Sequence, residues 1–172
     1  MMATPKLERQ SHGFGPCYGP GSVILILGSF PSLKSREIGF YYSHPSNRFW
    51  KLLEAIYGDL APSTPEGRAE YAIKHGLALY DSIESCHIKG SEDASINKVV
   101  PTDLKPIFEA CRIKTIILNG KAAEKYFHRY QKPPQGIEVV VLPSTSSANA
   151  KYSLDDLTRE YGPYLVSSLG AL

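Results

Sequence analysis

The chain has 172 residues, with 19 Lys and Arg against 17 Asp and Glu, so its length suits one domain with a sizeable core, and its near-neutral balance confines any polyanion contact to a local patch. Its three cysteines, Cys17, Cys86 and Cys111, are widely spaced without a C-x-x-C pair, which argues against a disulfide framework or a zinc knuckle. With no apolar signal core at the amino terminus and no stretch approaching a membrane span, a soluble cytoplasmic protein without membrane or metal partners is expected.

Residues 1–21 are polar and then rich in Gly and Pro, which reads as a partly mobile arm leading into a single domain over residues 22–172, with Phe14 or Tyr18 able to dock on its surface. Residues 23–27 are an unbroken β-prone apolar run, the pattern of a central parallel strand covered on both faces. The run breaks at Gly28 into a long segment of Ser, Gly, Pro and aromatics, and a loop of that length in a compact domain is seldom idle. Ser46 is placed to cap a helix carrying Phe49, Trp50, Leu52, Leu53 and Ile56 until Gly58 stops it. Thr64 caps a second helix with Pro65 in its first position, running to about His75 before Gly76, and residues 77–80 form a short strand.

Residues 81–100 are polar with little periodicity and read as a surface connection facing the long loop. Thr102 caps a helix to about Cys111, residues 115–118 form a strand ended by Asn119-Gly120, and a helix runs from Lys121 to about Tyr130. After the turn K-P-P-Q-G comes a strand over residues 138–142 and then the loop P-S-T-S-S-A-N-A. Ser153 with Asp156 forms an S-x-x-D capping box for a terminal helix that Gly162-Pro163 should kink. Alternating strands and helices predict an α/β fold, a three-layer α/β/α sandwich around a mostly parallel four-stranded sheet. Parallel topology sets the loops G-S-F-P-S and P-S-T-S-S-A-N at one sheet edge, where their small hydroxyls and backbone amides suit a phosphate-bearing ligand.

From Val23 to Ala150 the order and spacing of motifs resembles the uracil-DNA glycosylase superfamily. G-S-F-P stands where those enzymes carry G-x-[D/N]-P, H-P-S-N-R-F-W-K resembles a segment of the mismatch-specific branch, and H-G-L-A-L-Y-D, I-I-L-N-G and L-P-S-T-S-S-A-N-A resemble its later strands and second active-site loop. The superfamily's polar catalytic residue before the motif's Pro is here Phe30, which can neither orient water nor hydrogen-bond a base. In this the chain is most similar to the hypoxanthine-DNA (deoxyinosine) glycosylase group, which places its catalytic Asn in N-R-F-W, the position of Asn47.

The resemblance implies a monofunctional hydrolase of base-excision repair that cuts the N-glycosidic bond of a deaminated base in damaged DNA, hypoxanthine first and uracil second. It implies a monomer without cofactor or metal. Such cleavage passes through an oxocarbenium-like sugar and needs a held water, a stabilised sugar cation and a welcome for the departing base. Asn47 is the implied catalytic residue, orienting water or bonding the base, since an amide cannot act as a carboxylate base. A flipped base is held by stacking and edge contacts. The resemblance assigns these to Tyr42 as the stacking ring, Phe30 as a wall and the Ser29 backbone amide, with Gly28, His44, Asn119 and Asn149 also at the base. Ser32 stands where pyrimidine-selective relatives carry a bulky Tyr, leaving room for a purine. Ser144, Thr145 and Ser146 are expected on flanking phosphates, with Ser32 and Lys151 beside them and Lys34, Arg36 and Arg48 adding charge. The second loop offers only Thr145, Ser146, Ser147 and Ala148 where many relatives carry a bulky wedge, so flipping would depend on a base pair already weak.

Read without the resemblance, Asn47 is a helix-start cap, Tyr41 and Tyr42 are packing rings, His44 is structural, and Asn119 equally forms an N-G turn or lines the pocket. His12, His75, His87 and His128 show no metal-ligand spacing. A mismatch-type uracil or thymine glycosylase is the alternative within enzymes, and Phe30 speaks against it. A non-catalytic nucleic-acid-binding module on the same fold is the alternative outside them.

Overall fold

The computed structural model describes residues 4–167, so the ends of the expected arm and domain, residues 1–3 and 168–172, lie outside the described residues. In chain order the elements are β1 (Leu7–Ser11), β2 (Ile24–Gly28), α1 (Leu33–Ile38), α2 (Phe49–Tyr57), α3 (Pro65–Lys74), β3 (Leu77–Asp81), β4 (Ile83–Lys89), β5 (Glu92–Pro101), α4 (Lys105–Ala110), β6 (Thr115–Asn119), α5 (Lys121–Tyr130), β7 (Glu138–Leu142) and α6 (Leu154–Ser167). Four strands form a wholly parallel sheet in the order β3-β2-β6-β7. Every residue of β2 is buried, as a strand paired on both edges and covered on both faces requires.

Helices flank this sheet: α2 packs on α6, α5 on β2 and β6, and α3 beside β3. The main core joins β2, β3 and β6 to Phe49, Leu52, Leu53, Leu157, Tyr161 and Leu165 of the helices. The capping box at α6 forms as its spacing predicts, with Ser153 N donating to Asp156 Oδ2 at 2.9 Å and Asp156 N to Ser153 Oγ at 3.1 Å. Thr64 likewise caps α3, with Pro65 opening it. α6 runs on through Gly162 and Pro163 to Ser167.

Several expectations are corrected. The stretch read as an N-terminal arm contains β1, which pairs antiparallel with β4 from Leu7↔Lys89 to Ser11↔Ser85. The polar connection over residues 81–100 is the hairpin β4–β5, so β1, β4 and β5 form a second, antiparallel sheet. Register shifts along the β4–β5 pairing break the strict two-residue alternation that would have announced a strand. Phe30, Ile83, Cys86, Ile88 and Tyr126 fill a second, smaller core. A short helix, α1, interrupts the long loop, with Ser32 as its cap. Ser46 does not cap α2: the N-cap position is Arg48, and Asn47 Oδ1 takes the Phe49 N–H at 3.0 Å. Thr102 does not cap α4 either; its hydroxyl donates to the buried Asp81 carbonyl at 2.7 Å, while Asp103 takes the Lys105 N–H at 3.0 Å.

Candidate active site

The segment after β2 and the loop after β7 leave the same edge of the parallel sheet, and Arg48 ties one to the other. Its backbone N–H donates to Thr145 O at 3.0 Å. Its guanidinium donates to Thr145 O at 3.3 Å, Ser146 O at 2.8 Å and Asn149 O at 3.1 Å, and also reaches Tyr152 O. A cation whose donors end on loop carbonyls is not offered to phosphate, which corrects the role expected of Arg48. A second link runs between Ser46 Oγ and Ser147 Oγ at 2.9 Å. His44 Nδ1 accepts the Ser46 N–H at 3.1 Å, which makes Nε2 the donor nitrogen of the exposed neutral ring.

Beneath these links lies a chain of amides with a fixed polarity. Thr145 is fully buried; its N–H donates to Asn119 Oδ1 at 3.0 Å, and Asn119 Nδ2 donates back to Thr145 Oγ1 at 3.2 Å. Thr145 Oγ1 in turn donates to Asn47 Oδ1 at 2.9 Å. Backbone N–H groups can only donate, so the bonds from Thr145 N and Phe49 N fix which end of each amide is oxygen. Asn47 Oδ1 is thus occupied twice and its NH2 is the end with hydrogens to offer. The resemblance brought Asn47 and Asn119 forward; Thr145 joins them and is spent in doing so, which corrects its expected place on a phosphate. Asn119 also ends β6 before Gly120, whose φ of +99° and approach to Ser144 (2.9 Å from a Cβ built there) leave no room for a side chain.

Across from this chain stand groups that motif reading missed. Asp81 ends β3 in register with Gly28 and is buried, and a Cβ built on Gly28 would lie 2.4 Å from its Oδ1. Its Oδ2 meets the Nε2 of His12, also buried, at 2.8 Å, and His12 Nδ1 reaches Phe14 O. The available signal for Asp81 was its place: the last residue of L-A-L-Y-D must share the sheet edge where β2 ends. Nothing local marked His12, which arrives from the segment read as an arm.

Tyr42 closes the group. Its φ of +53° is left-handed, a conformation that strains an aromatic residue by about 1–3 kcal/mol. Its half-buried ring lies 4.1 Å from that of Phe49, centroid to centroid, and its Oη would stand 3.6 Å from a Cβ on Gly28. Burial drives the phenol's pKa well above its usual range, the Asp81 charge adds to this, and the neighbouring Asn119 side chain opposes it. Beside Gly28, Ser29 is buried and its hydroxyl donates to Asp93 Oδ1 at 3.3 Å; desolvation raises the Asp93 carboxyl, Ser29 opposes this, and Asp81 adds to it.

Other expected residues are engaged elsewhere. Phe30 is no open wall: it packs in the smaller core with the Arg36 guanidinium 5.2 Å from its ring centroid. Arg36 also donates to Gly90 O at 2.9 Å, so it too is drawn from the rim. Ser32 Oγ takes the Ser35 N–H at 3.1 Å as a cap. Ser144 Oγ accepts from Ser146 N at 3.2 Å, Ser146 Oγ from Ala148 N at 3.2 Å, and Asn149 Nδ2 donates to Ser144 O at 3.1 Å, so these three shape the loop itself. Lys151 is exposed. Among the described residues no group of three or more His, Cys, Asp or Glu is arranged to hold a metal ion, and no helix is long and apolar enough to cross a membrane.

Comparison with known proteins gives the chain's family and fold. Residues 16–165 match the family model of the uracil DNA glycosylase superfamily. A hypoxanthine DNA glycosylase of Methanosarcina barkeri is 31% identical over 144 residues, 83% of this chain and 90% of the relative. Another of that name from Methanosarcina acetivorans is 31% identical over 143 residues, 82% of this chain and 89% of the relative. A solution NMR structure from Methanosarcina acetivorans, described as that of a candidate uracil DNA glycosylase, superposes with a TM-score of 0.79 at 26% identity, covering 94% of this chain and 99% of that one.

Proposed function

This chain belongs to the uracil-DNA glycosylase superfamily, and we propose that it is the hydrolase that releases hypoxanthine from deoxyinosine in DNA, with uracil as a second substrate. The reaction adds water across the C1′–N bond, and the base leaves with the bonding electrons. Negative charge therefore grows on the base while positive charge grows on the sugar. Asn47, its oxygen occupied by Thr145 and Phe49, offers N–H donors and serves the departing base better than the water. Asp81, one oxygen held by His12 and the other beside Gly28, supplies the anionic side of the site for water or sugar, a part no amide can play. Phe49 covers one face of Tyr42 and backs it as the stacking ring. His44 Nε2 and Lys151 take acceptors along the strand.

The observation that carries this reading is the fixed amide of Asn47, its oxygen held by Thr145 and Phe49 so that its NH2 is left to donate, where the two loops are tied together. The test is incubation with duplexes containing inosine, uracil or xanthine, followed by alkaline cleavage at abasic sites. Asn47→Ala is expected to slow single-turnover excision by about 100-fold or more while leaving affinity for the same duplex nearly intact. Binding by the wild type without abasic-site formation would leave a non-catalytic module on this fold. We further propose that the protein acts as a monomer in the cytoplasm, a reducing setting that suits its three buried, unpaired thiols.

A further inference from the structure

We propose that His12 is a positioning residue of this site, a buried cation that keeps Asp81 ionised and turns the carboxylate's free oxygen toward Gly28, so that negative charge faces the sugar as it becomes positive; this rests on the glycosylase reading above. His12 lies ahead of residues 16–165, the span of the family match, and arrives by continuing the pairing of β1 with β4, its N–H donating to Glu84 O at 2.7 Å. Both ring nitrogens face oxygens: Nε2 meets Asp81 Oδ2 at 2.8 Å, and Nδ1 reaches Phe14 O. A carbonyl and a carboxylate only accept, so the ring holds a hydrogen on each nitrogen and meets Asp81 as a cation. His12 is 1% exposed and enclosed by rings, with the centroids of Phe14 at 4.4 Å, Tyr80 at 5.2 Å, Tyr41 at 5.7 Å and Phe30 at 6.3 Å. In such surroundings an unpaired carboxyl takes up a proton, and a cation beside it keeps it ionised. The pair is directional. Its positive end is enclosed by the rings, whereas Asp81 keeps 5% of its side chain exposed and no donor among the described residues reaches Oδ1, the oxygen beside Gly28. Because a charge acts through space, the carboxylate serves the cationic sugar without touching it.

The test separates the two ring nitrogens. His12→Asn keeps an amide where Nδ1 stood and loses the donor to Asp81, while His12→Gln keeps a donor to Asp81 and loses the bond to Phe14 O. Excision from an inosine duplex, measured at pH 7 under single-turnover conditions with saturating enzyme, is expected to fall about 30-fold or more in His12→Asn and less than about fivefold in His12→Gln. The dissociation constant for the duplex should change less than about threefold in both, because the charge counts only as the sugar turns cationic. The His12→Asn rate should recover as pH rises toward about 9, where the carboxyl ionises without its donor. The other groups facing Asp81 are the Tyr41, Tyr42 and Tyr80 phenols, which burial holds neutral there, and Asp93, which every variant retains. Asp81→Asn should be slow at every pH, and adding His12→Asn to it should slow it no further, since residues that act as a unit are not additive. Equal losses in the two His12 variants, or a double variant slower than Asp81→Asn, overturn the proposal and leave the glycosylase reading standing. So does Asp81→Asn as fast as wild type, even if neither His12 variant folds. Wild-type protein inactive on inosine, uracil and xanthine duplexes overturns the reading and the proposal together.

Discussion

Thr145 shows how little of a site one residue's identity discloses. In sequence it is one of four hydroxyl residues in P-S-T-S-S, all equally suited to phosphate; in the fold it alone is wholly buried, and it fixes the polarity of Asn47 and Asn119. Thr145→Val keeps the shape but removes the acceptor of Asn119 Nδ2 and the donor to Asn47 Oδ1. It should cost about 1–3 kcal/mol of stability, read by thermal or urea unfolding, and slow excision roughly tenfold. Thr145→Ser should restore most of the rate, because the hydrogen bonds and not the methyl orient the amides. Asn47 was legible because a motif carries it, and Asp81 was half legible as the last residue of an apolar strand. His12 was not, because its contact with Asp81 spans 69 positions and depends on a strand pairing that no local pattern announces.

At the scale of elements, the connection between α2 and α3 is secured by one carboxylate. Asp59 accepts from Lys74 at 3.0 Å, from the Tyr71 hydroxyl at 2.8 Å and from His75, whose ring stacks on Tyr57 at 3.9 Å. The Lys74 and Tyr71 hydrogen bonds chiefly lower its pKa from the ordinary 3.8 to about 2. A depressed carboxylate stabilises the fold above its unfolded pKa, and that contribution fades as pH falls from near 4 toward 2. Asp59→Asn should therefore melt a few degrees below wild type at pH 7, with the gap closing below about pH 3. The caps Thr64 and Ser153 were readable from three-residue spacings, whereas Asp59 draws on the C-terminal end of α3, through Tyr71, Lys74 and His75, and offers no such mark. The same holds for α4, where Thr102 looks like a cap by position yet is taken by Asp81 from a neighbouring strand.

For the whole molecule, the parallel sheet was legible because its strands are short apolar runs between turn residues; β2, β3 and β6 are buried on both faces, and the edge strand β7 is mostly half-buried or exposed yet still shows as V-V-V-L. The antiparallel sheet was not, since β5 is largely exposed and the pairing with β4 slips out of register. That second sheet brings His12 to Asp81, so part of the candidate site lay where sequence periodicity is silent. Charge is the other global property with a consequence. The formal net charge is only +2, and of the basic residues expected at the rim Arg48 is consumed by carbonyls and Arg36 by Gly90 O and the Phe30 ring. Lys34 lies 3.9 Å from Glu37, which leaves Lys151 as the less encumbered cation beside the loops. Each neutralised phosphate contributes about −0.9 to the slope of log K against log salt, so with Lys151 and the exposed, loosely paired Lys34 each meeting one phosphate, binding to an inosine duplex should show a slope of only about −2. Fluorescence anisotropy across a potassium chloride series measures it, and Lys151→Ala should bring the slope about one unit nearer zero while leaving excision at saturating enzyme unchanged. A slope near −6 would mean a phosphate footprint far larger than this rim can supply. A shallow slope carries its own mechanistic consequence: with little non-specific attraction and no bulky wedge in the second loop, the energy to extrude a nucleotide must come from the weakness of the damaged pair and from the hydrogen bonds waiting in the pocket.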